Sequence, residues 1–299
     1  MSCNEIWLNP LLLCSIVILF VLLLLLFAKR QKEETIAALA AQPQKQEDED
    51  ATPSVKEDFQ SLMEKVEEDI AADPNVREYP FSKLEYLSIA GAWQLHVQCH
   101  ASKNSCRLGI EPKFSRFVKV EESRHGLLIR YTGKKTPVEA MTLEITTTGV
   151  PAQFKSIGKS RVWFDAVECE KFVCKITDGG EFEMPGAKLG ELILKLTGGG
   201  RAECGGDFNT AEIEISDRSN AKLRGNVGTL SARLSGASKG EVIHVGAAEI
   251  AVSGGSKLKI EVTDKLEGDL SGGSSLKYRG EIDTSGIRIS GSSKLKNWN

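Results

Sequence analysis

The chain opens on a long apolar run. Residues 6–28, IWLNPLLLCSIVILFVLLLLLFA, hold no charge. A helix of that length is about 34 Å long, enough to cross the hydrocarbon core of a bilayer. The run is too long for the apolar part of a cleaved leader, and no basic segment precedes it. The pattern therefore predicts one uncleaved transmembrane helix in an N-terminal anchor, residues 1–30, with membrane lipid as its partner over residues 6–28. Polar residues follow and end in QKQEDEDATP, a solvated spacer. Phe59, Leu62, Met63, Val66 and Ile70 then recur at helical spacing behind a Ser54/Glu57 capping pair, and Pro74 stops the run. Residues 31–79 thus read as an acidic linker with a short amphipathic helix, which packs on the next domain or self-associates beside the membrane.

From about residue 80 the period becomes two. WQLHVQC alternates from Trp93 through Leu95 and Val97 to Cys99, and CRLGI resumes with Cys106, Leu108 and Ile110. The spacing predicts a β-hairpin with Cys99 and Cys106 on one face. In an oxidising compartment they are the disulfide candidate; the alternative is two small buried thiols. RFVKV, GLLIRY and MTLEITT predict further strands.

After Pro151 the alternation is punctuated by small turns at Ser156, Thr177, Thr197, Ser216, Ser235, Ser253, Ser271 and Ser290, 18–21 residues apart. The residues before each turn align across copies: Phe172, Cys174 and Ile176; Leu192, Leu194 and Leu196; Ala211, Ile213 and Ile215; and so on to Ile287 and Ile289. A second apolar column follows the turn, as at Phe182 and Met184 or Leu258 and Ile260. One such coil cannot bury its apolar face alone, whereas stacked coils turn each position into an inward ladder. The prediction is an all-β domain over residues 80–299. It is a right-handed parallel β-helix (a solenoid) of about seven coils, with the strands of residues 81–155 capping its first end.

Composition changes this picture little. The net charge of −3 and pI near 6.0 give no nucleic-acid footprint. Of seven Cys, two lie in the N-terminal segment, so the odd number beyond it leaves at least one free thiol or an intermolecular bridge.

The opening YPFSKLEYLSIAGAWQLHVQ, followed by VPAQFKSIGKSRVWF, TDGG, TGGG, SGAS, SGGS, SGGS and SGSS, resembles the putative auto-transporter adhesin, head GIN domain family. The resemblance covers about residues 80–299. It implies a β-helical, often extracytoplasmic, envelope-anchored protein with no established enzymatic activity, and it supplies no catalytic residues. The chain departs from the family in its leucine-rich span and acidic linker, where many relatives carry a leader, and in its larger number of cysteines.

A search for chemistry finds little. His96, His100, His125 and His244 show no metal-ligand spacing, and His96 reads as solvent-exposed on the polar side of its strand. Cys169 and Cys174 are spaced C-x4-C with no second pair, and Cys204 falls on an inward column. GGGRAECGG lacks the following helix that a phosphate cradle needs. The acidic residues form no matched column of the kind a polysaccharide-cutting β-helix enzyme would use, so no catalytic site and no cofactor are expected. One surface feature is ordered: Lys222, Lys259, Lys277 and Lys296 stand six residues after their turns, with Glu241 interrupting the series. The last three would form a basic stripe about 4.8 Å apart. The stripe is either an ordinary solvated face or a strip for an anionic polysaccharide or envelope protein.

Two functions are in view. One is a membrane-anchored, non-enzymatic envelope protein used in binding, adhesion or envelope structure. The other is a cytoplasm-facing scaffold that self-assembles end to end like the bactofilins. Lys29, Arg30 and Lys32 after the span favour the cytoplasmic side; the resemblance, which spans most of the chain, favours the extracytoplasmic one and decides the expectation.

Overall fold

The computed structural model describes residues 76–135, 137 and 141–298. The expected span at residues 6–28 and most of the linker, including the amphipathic helix, lie outside the described residues. Among those described, no helix is long and apolar enough to cross a membrane.

The first strands are β1 (Arg77–Pro80), β2 (Tyr86–Ala90), β3 (Trp93–Gln98) and β4 (Ser105–Gly109). After a single helical turn, α1 (Pro112–Ser115), come β5 (Val118–Ser123), β6 (Gly126–Tyr131), β7 (Met141–Thr146), β8 (Gln153–Ile157) and β9 (Arg161–Phe164). Their stacking is out of chain order. β2 lies in parallel between β6 and β8, and β3 lies in parallel between β7 and β9. The antiparallel strands β1, β4 and β5 attach outside this stack, with β4 on β7, β1 on β4 and β5 on β6. They close the first end of the solenoid, where bare parallel edges would otherwise recruit other chains.

This arrangement corrects the predicted hairpin. β3 and β4 are not partners, because β7 lies between them: Ile145 pairs with Val97 on one side and with Cys106 on the other. The apolar file Trp93, Leu95, Val97 matches Met141, Leu143, Ile145 residue for residue, so parallel stacking buries both strands and pushes β4 outward. Two strand spacings, about 10 Å, then separate the lines of Cys99 and Cys106, beyond the reach of about 7 Å that a disulfide allows. Both thiols are free.

Beyond β9, the strands β10 (Val167–Thr177), β11 (Glu181–Leu196), β12 (Arg201–Ile215), β13 (Asn220–Leu234), β14 (Lys239–Val252) and β15 (Lys257–Leu270) each wrap much of one coil. β16 (Ser275–Arg279), β17 (Ile287–Ile289) and β18 (Lys294–Asn297) complete a parallel solenoid of about eight turns. The inward columns run in register. Ile176 pairs with Leu196, Leu196 with Ile215, Ile215 with Leu234, Leu234 with Val252, and Val252 with Leu270. On the face after the turn, Met184, Cys204, Leu223, Val242 and Ile260 form an equivalent file. A third face supplies one inward residue per coil: Leu189, Phe208, Val227, Val245 and Val262.

The turn that separates the first two faces explains the SGGS repeat. At Ser253–Ser256 the amide of Ser256 donates to the Ser253 carbonyl, and both central residues have positive φ, 62° at Gly254 and 73° at Gly255. That is the tight turn in which two successive left-handed residues favour glycine. The turns are themselves laddered, since Gly255 N–H donates to the Gly272 carbonyl of the next coil and Ala237 N–H to that of Gly254. The closing serine, Ser256, is buried, and its hydroxyl accepts from the Ser238 amide.

The core is thickest near the capped end. The rings of Phe154, Phe164, Phe172 and Phe182 pack with centroids 5.1–6.3 Å apart. Toward the other end the same files carry Ala, Gly and Leu, and Ile289 in β17 is 49% exposed.

Candidate binding face

Strand alternation points every second residue out of the solenoid. On the face after the turn, the register brings Lys222, Glu241, Lys259, Lys277 and Lys296 into one file. Lys222 is half-buried, whereas Lys259, Lys277 and Lys296 are exposed. Lys259 is partly engaged: its Nζ lies 3.1 Å from Glu241 Oε1 and 5.2 Å from the ring centroid of Trp298.

A second file on the same face lies two residues earlier in each strand. It runs Arg201, Asn220, Lys239, Lys257, Ser275 and Lys294. A third edge contributes Arg224, Arg279 and Glu261, with Glu261 and Arg279 in register. The carboxylates from β12 onward on this face are Glu203, Glu241 and Glu261. The first is held by Arg224 at 2.8 Å and the second by Lys259. Among the described residues, Lys239, Lys257, Lys277, Arg279, Lys294 and Lys296 form no ion pair.

The face before the turn has the same geometry and the opposite electrostatics. Most of its cations are neutralised coil to coil: Lys171 by Glu191 at 2.6 Å, Lys195 by Glu214 at 2.6 Å, and Arg288 by Asp269 through two bonds of 2.6 and 2.7 Å, while Lys175, near the capped end, is exposed and forms no ion pair among the described residues. Arg233 lies 3.8 Å from Glu212, and Lys265 lies 2.6 Å from Glu267. Hydrogen bonds from Lys195 and Arg288 hold the Glu214 and Asp269 carboxyls below their ordinary range. The shallow groove above Ala251 on this face is lined by Ser231, Arg233, Glu249, Glu267, Asp269 and Arg288, a set of mixed charge. From β12 onward, then, the cations of this face are paired, and those without a partner stand on the face after the turn.

The remaining candidates stand apart from that face. His96 is 5% exposed rather than solvated, and its Nε2 lies 2.9 Å from Asp165 Oδ1, which also accepts from Trp163 Nε1 at 3.1 Å. Its strand position is outward, but the neighbouring files at Glu144 and Trp163 cover it. Burial pushes the thiols of Cys99 and Cys106 up to about 12 and raises those of Cys169, Cys174 and Cys204, so none is poised as a nucleophile. Among the described residues, no three His, Cys, Asp or Glu side chains cluster to hold a metal.

The sequence reading named the lysine file and missed its neighbour. The signal was present: KLK at Lys257–Lys259 and again at Lys294–Lys296 places two cations on the same outward face. At the far end the Trp298 amide donates to the Tyr278 carbonyl at 3.1 Å, and the side chain joins the basic face.

These features define a parallel β-solenoid with an antiparallel cap and a cationic face over its last coils. By sequence, the chain belongs to the putative auto-transporter adhesin, head GIN domain family, whose match spans residues 83–282. Among curated proteins, none matches. Solved structures share the fold. A putative lipid binding protein from Parabacteroides distasonis is 14% identical with a TM-score of 0.69, over 76% of this chain and 98% of that one. A putative adhesin from the same organism is 14% identical with a TM-score of 0.67, over 75% and 96%. A putative adhesin from Parabacteroides merdae is 13% identical with a TM-score of 0.68, again over 75% and 96%.

Proposed function

We propose that this chain is a membrane-anchored, non-enzymatic binding protein of the cell envelope, with its solenoid on the extracytoplasmic side. The carrying observation is the charge sorting. From β12 onward, two faces of one repeat share a backbone geometry, yet one is neutralised pair by pair and the other keeps unpaired exposed cations. A solenoid that needed only solubility would have no reason to differ between its sides. The family name supports adhesion, and the fold relatives are named for binding adhesively or to lipid. The apolar run at residues 6–28 supplies the anchor, and the acidic linker supplies reach.

The test has two arms. In spheroplasts, external protease is expected to degrade residues 80–299; protection with the spheroplasts still sealed would overturn the placement. Purified full chain in detergent is expected to be retained by isolated envelope material and released by salt. Absence of retention, together with concentration-dependent filaments, would favour an end-to-end scaffold instead.

A further inference from the structure

The structure assigns a ligand class to the basic face: we infer that the last coils bind a linear acidic polysaccharide lying along the solenoid axis. The inference rests on the binding role proposed above and names what that role recognises. Three observations carry it.

The first is spacing. Lys259, Lys277 and Lys296 belong to successive coils, so their files step along the axis by about 4.8 Å, while Lys257 and Lys259 stand about 7 Å apart across it. A flat array of that pitch, several coils long, meets an extended polymer with a carboxylate or sulfate on each sugar. A compact anion would need a pocket, and this face has strand backbone beneath it instead.

The second is Trp298. Its half-buried indole sits inside the cationic array, with Lys259 Nζ over the ring. An aromatic surface beside cations suits a sugar, whose C–H faces pack on the ring while its acidic groups meet the lysines.

The third decides between a polymer and a bilayer. Between the cations this face carries Asn220, Ser275, Glu241 and Glu261, and the one aliphatic residue among them, Ile243, is half-buried. A surface that inserts into lipid presents exposed apolar side chains between its lysines.

The probe is polygalacturonate, a linear polyuronate, titrated against the full chain in a neutral detergent. Neutral dextran and phosphatidylglycerol vesicles run alongside. Wild type is expected to bind the polyuronate and not dextran, with affinity falling as salt rises. Replacing the unpaired lysines together, Lys257→Glu, Lys277→Glu and Lys296→Glu, is expected to weaken binding about tenfold or more and to flatten the salt dependence. The milder Lys→Gln triple guards against misfolding, and thermal melts report folding for both. Trp298→Ala is expected to weaken binding about threefold while leaving the salt dependence intact. A control triple of paired lysines on the other face, Lys171→Glu, Lys195→Glu and Lys265→Glu, is expected to stay within about twofold of wild type.

No polyuronate binding, equal binding by both reversal triples, or binding to vesicles but not to the polymer would each overturn the assignment. Retention of the same proteins on isolated envelope separates the two levels. Wild-type retention that survives the Lys257/Lys277/Lys296 reversal keeps the binding role and removes this face from it. Loss of wild-type retention removes the role itself.

Discussion

At the scale of single residues, the solenoid's demands differ sharply from one glycine to the next. Gly225 has φ of 115°, and a Cβ there would sit 2.0 Å from the Gly206 carbonyl oxygen of the coil below. Gly225→Ala combines forbidden backbone with backbone collision, and a loss of about 3 kcal/mol or more is expected in denaturant melts. Ala237 is the reverse case. It occupies the left-handed turn position that Gly255 fills one coil later, with φ of 62°. Ala237→Gly relieves that strain, partly offset by unfolded-chain entropy, and is expected to raise stability by about 0.5–1 kcal/mol. The thiols give a third expectation. Cys106, Cys174 and Cys204 are buried, with pKa values raised chiefly by that burial. Peptide mass spectrometry after maleimide treatment at pH 7 should find them unlabelled until the protein is denatured, with partly exposed Cys169 labelled first among the cysteines of the solenoid.

Elements show what the alternation could and could not convey. The files through Ile176 and Met184 were readable because each coil repeats two or three apolar residues at fixed distance from a small turn. The file through Leu189, Phe208 and Val227 was not. It supplies one residue per coil, and the register shifts before it between Met184 and Ala187 and again between Leu223 and Val227. The β3–β4 hairpin failed for a related reason: local spacing cannot report that β7, some 35 residues later in the chain, takes the place beside β3. The lysine file was legible from the repeat alone. Its unpaired state was not, because that depends on which lateral neighbour holds each carboxylate. The aromatic element is the energetic counterpart of these files. Phe164 touches three other rings, so Phe164→Ala is expected to cost about 3–5 kcal/mol, well above Leu276→Ala near the far end, at about 2–3. The neutralised face has its own pH signature. Its Glu214 and Asp269 carboxyls titrate below their unfolded values, so their contribution is present above the ordinary carboxylate range and is lost as pH falls through the lowered folded values. Melting temperature should therefore hold between pH 8 and pH 6 and decline below about pH 4.

For the whole molecule, stability is close to a sum of coils and their interfaces. Removing residues 253–270, one complete coil from turn to turn, joins Val252 to Ser271 and preserves every file. The shortened chain is expected to fold, with strand-type circular dichroism and a modestly lower melting point. Removing residues 253–261, half a coil, turns inward files outward and is expected to abolish cooperative unfolding. The same construction has a mechanical consequence. Each lysine of a file belongs to a different coil, and coils adhere only to their neighbours, so a pull at the free end peels them one after another. A polymer chain laid over Lys257, Lys277 and Lys296 would tie consecutive coils together from outside. The load would then spread across several ladders at once, and the grip would harden under tension instead of loosening.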